Sequence, residues 1–194
     1  MNDPETLAPL LGALQGISKW LQSEKVPGMI IGGVAASILG RPRLTRDVDA
    51  SVWLEEERWE GFLSAGSAFG FEPRIAGALT FAAKSRVLLL HHTATHIELD
   101  LAFASLPFEE KAISRAVWTE ISGIRIPIPS PEDMIVMKAL AHRPRDLSDI
   151  EAIVDAHPKL NLKEIRRSVR EFSLALGMPE LERDLNLRLK RRKL

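Results

Sequence analysis

The 194-residue chain is 45 % hydrophobic and 27 % charged, an ordinary globular composition that excludes disorder, collagen and coiled coil as whole-chain descriptions. At this length folding buries roughly 70 % of the unfolded surface without a covalent staple. Lys plus Arg and Asp plus Glu each number 26 and cysteine is absent, so global charge argues for no polyanion, and disulfides, thiolate zinc sites and cysteine nucleophiles are all excluded.

In chain order, Leu7, Leu10, Leu11, Leu14, Ile17 and Leu21 recur at helical spacing and predict an amphipathic helix over about 4–24, ending before Pro27. The start mixes acids with this apolar stripe and lacks a basic leader, and no later stretch approaches the roughly 20 apolar residues of a membrane span. A cytoplasmic protein is therefore expected. Met29-Ile30-Ile31, Gly32-Gly33 and VAASIL, closing at Gly40, read as strand, glycine turn and helix. Asp47 to Trp53 alternates as a strand with both aspartates on one face, and EEERWEGFLSAGSAFG reads as a helix with acids in its first turn. TFAAK, RVLLLHH and IELDLAF (80–84, 86–92, 97–103) read as successive antiparallel strands of one sheet, and VWTEISGIRIPI as a further hairpin turning at Ser122-Gly123. Ser130, Pro131 and Asp133 supply a helix cap, first-turn proline and third-position acid. Helices are expected over about 131–142, 145–156, 162–176 and 180–191. The fold class is α/β (α+β), a mixed sheet with flanking helices over residues 1–129 and a helical C-terminal region over 130–194.

Three features carry chemistry. A glycine pair between a strand and a helix start lets backbone N–H groups approach an anion, with the helix dipole in support; the plain alternative is a tight turn. Neither the P-loop nor the dinucleotide pattern is present. Fourteen residues beyond Gly33, Asp47 and Asp49 direct two hard carboxylates to one side of a strand, a spacing that suits Mg²⁺ shared with substrate phosphates. The alternative is a solvated face paired with Arg43 or Arg46. In IELDLAF, Glu98 and Asp100 share a face opposite Ile97, Leu99 and Leu101. An acid in so apolar a stretch needs a partner or a metal, which makes Asp100 a candidate third ligand and Glu98 a candidate cross-strand ion-pair partner. His91, His92 and His96 lack metalloprotease spacing and are read as surface histidines. The terminal RLKRRKL, five basic residues in seven, either tracks a phosphate backbone or complements a helix end.

The order GG, six residues, G, six residues, DVD, a later strand acid and MKALAHRPRDLSDI resembles the nucleotidyltransferase superfamily related to DNA polymerase β. IGGVAASILGRPRLTRDVDASV, IELDLAF and IPSPEDMIVMKALAHRPRDLSDIEAI look most like the small AbiEii-type nucleotidyltransferase toxins, over roughly residues 28–155. The resemblance implies a nucleotidyltransferase core in which Gly32 and Gly33 receive a nucleoside triphosphate. Asp47, Asp49 and Asp100 would be catalytic carboxylates and Mg²⁺ ligands in a two-metal arrangement, with Asp100 as base. Lys138 on a later helix would face the phosphates, near an Arg/Asp cluster of Arg143, Arg145, Asp146 and Asp149. Arg46 would neutralise phosphate charge. Gly33 stands where many superfamily members carry serine, which leaves backbone donors alone. From the residues themselves, the Lys138 ammonium could equally snorkel to solvent over an apolar helix face.

The implied reaction moves a nucleoside monophosphate from an NTP to an acceptor hydroxyl. The acceptor would be RNA such as a tRNA end, with an antitoxin protein as a further partner. A small-molecule, antibiotic-type acceptor and a catalytically silent nucleotide-binding module are the alternatives.

Overall fold

The computed structural model describes residues 4–190. Leu10, Leu14, Ile17 and Leu21 are buried along one side of α1 (Pro4–Ser23), as their spacing requires. On the same helix Trp20 stacks on Phe62 with ring centroids 4.2 Å apart. β1 (Gly28–Ile31) runs directly into α2 (Gly32–Leu39). The glycine pair is thus the first turn of the helix, and the reversal occurs within Gly32 itself, at φ +61°.

A polar connector leads to β2 (Asp47–Val52), followed by α3 (Trp59–Gly66) and the short β3 (Phe71–Pro73). Then come α4 (Ala78–Ser85), β4 (Val87–His92), β5 (Glu98–Phe103) and α5 (Pro107–Ser114). Residues Thr80–Lys84, expected as a strand, lie inside α4. Left-handed residues bound that helix, Gly77 at φ 69° and Arg86 at φ 57°. Its interior is alanine-rich with Ala78 and Ala82 buried, so the helix preference of alanine prevails over a single Thr-Phe pair. β3 is too short for a period-two pattern to show.

The five strands form one mixed sheet in the order β1-β2-β5-β4-β3. β1 is antiparallel to β2, β2 is parallel to β5, and β4 is antiparallel to both β5 and β3. Val48, Ala50 and Val52 of β2, with Leu99, Leu101 and Phe103 of β5, fill the core face. Strand alternation turns the residues between them to the opposite face. β6 (Val117–Ile121) and β7 (Ile124–Ile128) form the expected hairpin, as a separate two-stranded sheet. Both turn residues are left-handed, Ser122 at φ 49° and Gly123 at φ 81°, which a two-residue hairpin turn matched to strand twist demands. Ser18 Oγ on α1 donates to the Arg125 carbonyl of β7 at 2.6 Å.

The remaining described chain is helical: α6 (Pro131–Ala141), α7 (Pro144–Ala156), α8 (Leu162–Leu176) and α9 (Pro179–Lys190). The Ser130 hydroxyl accepts from the Asp133 amide at 3.1 Å, so the anticipated cap forms, and the Asn161 side chain accepts from the Glu164 amide at 3.1 Å to cap α8 in the same way. Residues 191–194 of the basic C-terminal run lie outside the described residues. By its internal contacts the chain divides into two units, Met1–Val34 with Leu44–Ile128, and Ala35–Arg43 with Pro129–Leu194. Residues 35–43 group with the helices through specific bonds: His157 Nε2 hydrogen-bonds the Leu39 carbonyl at 2.7 Å, and Arg41 and Arg43 pair with Asp155 and Asp149 at 3.1 and 3.2 Å. Among the described residues no helix is long and apolar enough to cross a membrane.

Candidate active site

The parallel register of β2 and β5 sets Asp49 beside Asp100 and Asp47 beside Glu98. Four carboxylates therefore share the face opposite the core, two residues apart along each strand. Like charges placed directly opposite destabilise a sheet, so this face calls for cations. Antiparallel pairing of β1 brings Ile31 beside Asp49, and the next residue, Gly32, closes the approach. A Cβ on Gly32 would fall 1.8 Å from Asp49 Oδ2. With φ +61°, the position is restricted to glycine by backbone and by space. The two sequence motifs thus meet in the first unit, with the Asp49 carboxylate seated against the bare Cα at the start of α2.

Arg74 supplies a cation that sequence reading missed. It follows β3, and its amide donates to the Leu89 carbonyl at 2.9 Å. Its guanidinium donates through Nη1 to Glu98 Oε2 and through Nη2 to Asp100 Oδ1. Glu98 is therefore the ion-pair partner anticipated from its strand position. No signal in the sequence links Arg74 to these acids, which lie 24 and 26 residues downstream. Arg46 is exposed at the start of β2. Among the described residues no group of three or more His, Cys, Asp or Glu side chains is set to hold a metal ion.

Within the second unit, Lys138 neither snorkels nor faces solvent. It is 4 % exposed, and its ammonium lies 2.8 Å from Asp146 Oδ1 and 2.9 Å from Asp149 Oδ2. Arg143 Nε donates to Asp146 at 2.6 Å, and Arg43 forms a salt bridge with Asp149 at 3.2 Å within the same unit. Burial pushes the Asp146 carboxyl upward, but hydrogen bonds from Arg143 and Lys138 outweigh it and hold the group below its ordinary value.

The histidines divide. His92 is buried, packs edge-on against Phe71 with centroids 5.1 Å apart and has Nδ1 2.8 Å from Thr95 Oγ1. It is a core residue and not the surface histidine anticipated, because it occupies the inward register of β4 between Leu90 and the turn that follows. Desolvation, aided by the nearby His91 charge, lowers its pKa.

Several solved structures share this fold. The antibiotic-resistance factor ANT(2'')-Ia superimposes with TM-score 0.57 at 17 % identity, over 92 % of this chain and 97 % of that one. An antigenic nucleotidyltransferase-like protein from Paracoccidioides brasiliensis gives 0.53 at 18 %, over 91 % and 92 %. The lincosamide antibiotic adenylyltransferase LnuA, solved with lincomycin, gives 0.51 at 16 %, over 80 % and 98 %. At these identities the likeness establishes the fold. No curated protein sequence matches the chain. The family model for the nucleotidyl transferase AbiEii toxin of type IV toxin–antitoxin systems matches residues 29–192, a span that takes in the glycine pair, both strand-acid pairs and the Lys138 cluster, and the chain belongs to that nucleotidyltransferase family.

Proposed function

We propose that this nucleotidyltransferase moves a nucleoside monophosphate from an NTP to a hydroxyl of an RNA acceptor such as a tRNA end, with Mg²⁺ held by Asp47, Asp49 and Asp100. One observation carries the reading: the β2–β5 register aligns Asp49 with Asp100 while Gly32 admits the Asp49 carboxylate against its Cα. The donor set suits the metal, since hard carboxylate oxygens in like-charged pairs are what Mg²⁺ takes together with phosphates and water. Mg²⁺ bound there supplies charge neutralisation and alignment of the phosphates, in a two-metal arrangement.

The chain's own residues do the rest. At the start of α2, Gly32 and Gly33 let the triphosphate approach the backbone where the helix dipole favours negative charge. Arg46, exposed beside Asp47, balances phosphate charge. The Asp100 carboxylate takes the proton of the acceptor hydroxyl. The acceptor oxygen forms a bond to the α-phosphorus, the bond from that phosphorus to the β-phosphate bridge breaks, and pyrophosphate leaves. Substrates of this class are cytoplasmic and so, in this proposal, is the enzyme, with an antitoxin protein as the partner that restrains it.

The test is transfer from α-labelled NTPs into RNA, protein and small-molecule pools, by wild type and by Asp49→Ala. Label entering RNA only with the wild-type chain is the expected result. Label confined to the small-molecule pool transfers the reading to an antibiotic-type acceptor. Absence of Asp49-dependent label from every pool, with nucleotide still bound in calorimetry, leaves a silent binding module and overturns the transferase proposal.

A further inference from the structure

Arg74 directly follows the edge strand β3, yet its guanidinium reaches across β4 to the acid face of β5. It is the most enclosed member of its own ion pair: its side chain is 21 % exposed, against 60 % for Glu98 and 50 % for Asp100. One planar fork spans two carboxylates that follow each other on one strand face, a geometry for which a guanidinium is suited and an ammonium is not. The satisfaction is incomplete, because Arg74 Nε is buried without a hydrogen-bond partner among the described residues.

A carboxylate oxygen that accepts an N–H from Arg74 does not at the same time offer that lone pair to a metal ion. Arg74 engages only Oδ1 of Asp100, but a guanidinium held there offsets the carboxylate's charge and repels a divalent ion beside it, so the two cations compete at Asp100. We propose that Arg74 is an internal counter-cation that competes with the divalent metal for Asp100, and that metal loading is favoured when its guanidinium leaves the acid face. The inference rests on the metal assignment made under Proposed function. The arginine compensates the like-charged strand pairs before substrate arrives, and it also sets a threshold against metal binding. Release gives its buried Nε access to a partner, so the exchange is not purely a loss of contacts.

Competition gives the metal affinity of a variant a definite sign. A pair occupied nine-tenths of the time weakens apparent metal affinity about tenfold when only the open fraction binds. Mn²⁺ titrated calorimetrically into the nucleotide-free full-length chain should bind Arg74→Gln about tenfold more tightly than wild type. Arg74→Lys, which keeps the charge and loses the fork, should fall between. The melting temperature of Arg74→Gln without metal should drop below that of wild type and recover with Mg²⁺. A second measurement needs no variant: phenylglyoxal modification of Arg74 in the wild-type chain, read by mass spectrometry, should rise when Mg²⁺ is added. Equal or weaker Mn²⁺ binding by Arg74→Gln, or modification indifferent to Mg²⁺, overturns the competition and leaves the metal assignment standing. If neither protein binds Mn²⁺, the competition and the metal assignment fall together, and the labelled-nucleotide screen decides the transferase reading separately.

Discussion

Gly32 joins backbone to chemistry more tightly than any other residue of the site. Its left-handed φ of +61° and the 1.8 Å that would separate an added Cβ from Asp49 Oδ2 act on different properties. An alanine incurs the backbone cost, about 1–2 kcal/mol at a left-handed position, and also pushes the Asp49 carboxylate from its seat. Gly32→Ala should therefore lower stability by about that amount in urea unfolding and reduce nucleotide transfer by on the order of a hundredfold, the scale of a misplacement near 1 Å. Transfer near the wild-type rate would show that the seat of Asp49 is not used. The shared faces of Asp47 with Asp49 and of Glu98 with Asp100 are legible in the sequence because a strand's two-residue period places alternate acids on one face whatever the tertiary structure does. Arg74 is not, since its contacts depend on the order of strands in the sheet, and β3 is three residues long. Lys138 is visible as a lysine among apolar residues, but the two aspartates that enclose it follow from how α6 meets α7.

At the level of elements, turn chemistry separates what the sequence shows from what it hides. The hairpin at Ser122-Gly123 and the caps at Ser130 and Asn161 are local hydrogen-bond solutions, and all three form. α5 carries a comparable signal, Pro107 at its start and Glu109 accepting from the Ser105 and Leu106 amides at 2.8 and 2.9 Å, yet its short apolar content gives no periodic stripe. Thr80–Lys84 misleads because five residues cannot separate a buried alanine helix from a strand. The α6–α7 junction is held by charge as well as by packing. Removing Lys138 leaves Asp146 and Asp149 with one arginine each, in sites where their side chains are 1 % and 10 % exposed. Lys138→Met should thus cost about 3 kcal/mol, the low end for breaking a buried pair. The pH dependence has a defined sign. Because the folded-state pKa of Asp146 is lowered, its stabilisation is present above its ordinary value of 3.8 and is lost as pH falls through the lower folded value. In Lys138→Met one cause of the lowering is gone, so the acid limb of the stability profile should shift to higher pH. An unchanged acid limb in urea titrations between about pH 2 and 5 would show that Arg143 alone sets the carboxyl.

Across the whole molecule, zero net charge conceals an even division. The first unit, Met1–Val34 with Leu44–Ile128, holds 10 basic and 15 acidic residues, and the second holds 16 and 11, a net −5 against a net +5. The acidic excess of the first includes the four carboxylates of the sheet. The basic excess of the second includes a row on the outer side of α8, where Lys163, Arg166, Arg167 and Arg170 are exposed at spacings of three and four while Ile165 and Val169 are buried behind them. Glu171, 3.9 Å from Arg167, only partly offsets the row, because an exposed pair at that distance is weak. A helix face of this kind can track successive phosphates, and a small-molecule acceptor would have no use for it. Replacing Lys163, Arg167 and Arg170 together by glutamine leaves the buried face of α8 intact, so folding should persist. If each of the three neutralises one phosphate of a single-stranded acceptor, the slope of log affinity against log salt should become shallower by about 2. Labelling of small molecules, and nucleotide binding itself, should be unaffected. An unchanged slope in fluorescence anisotropy between about 50 and 200 mM salt would remove α8 from the RNA contact and confine the phosphodiester reading to the terminal basic run.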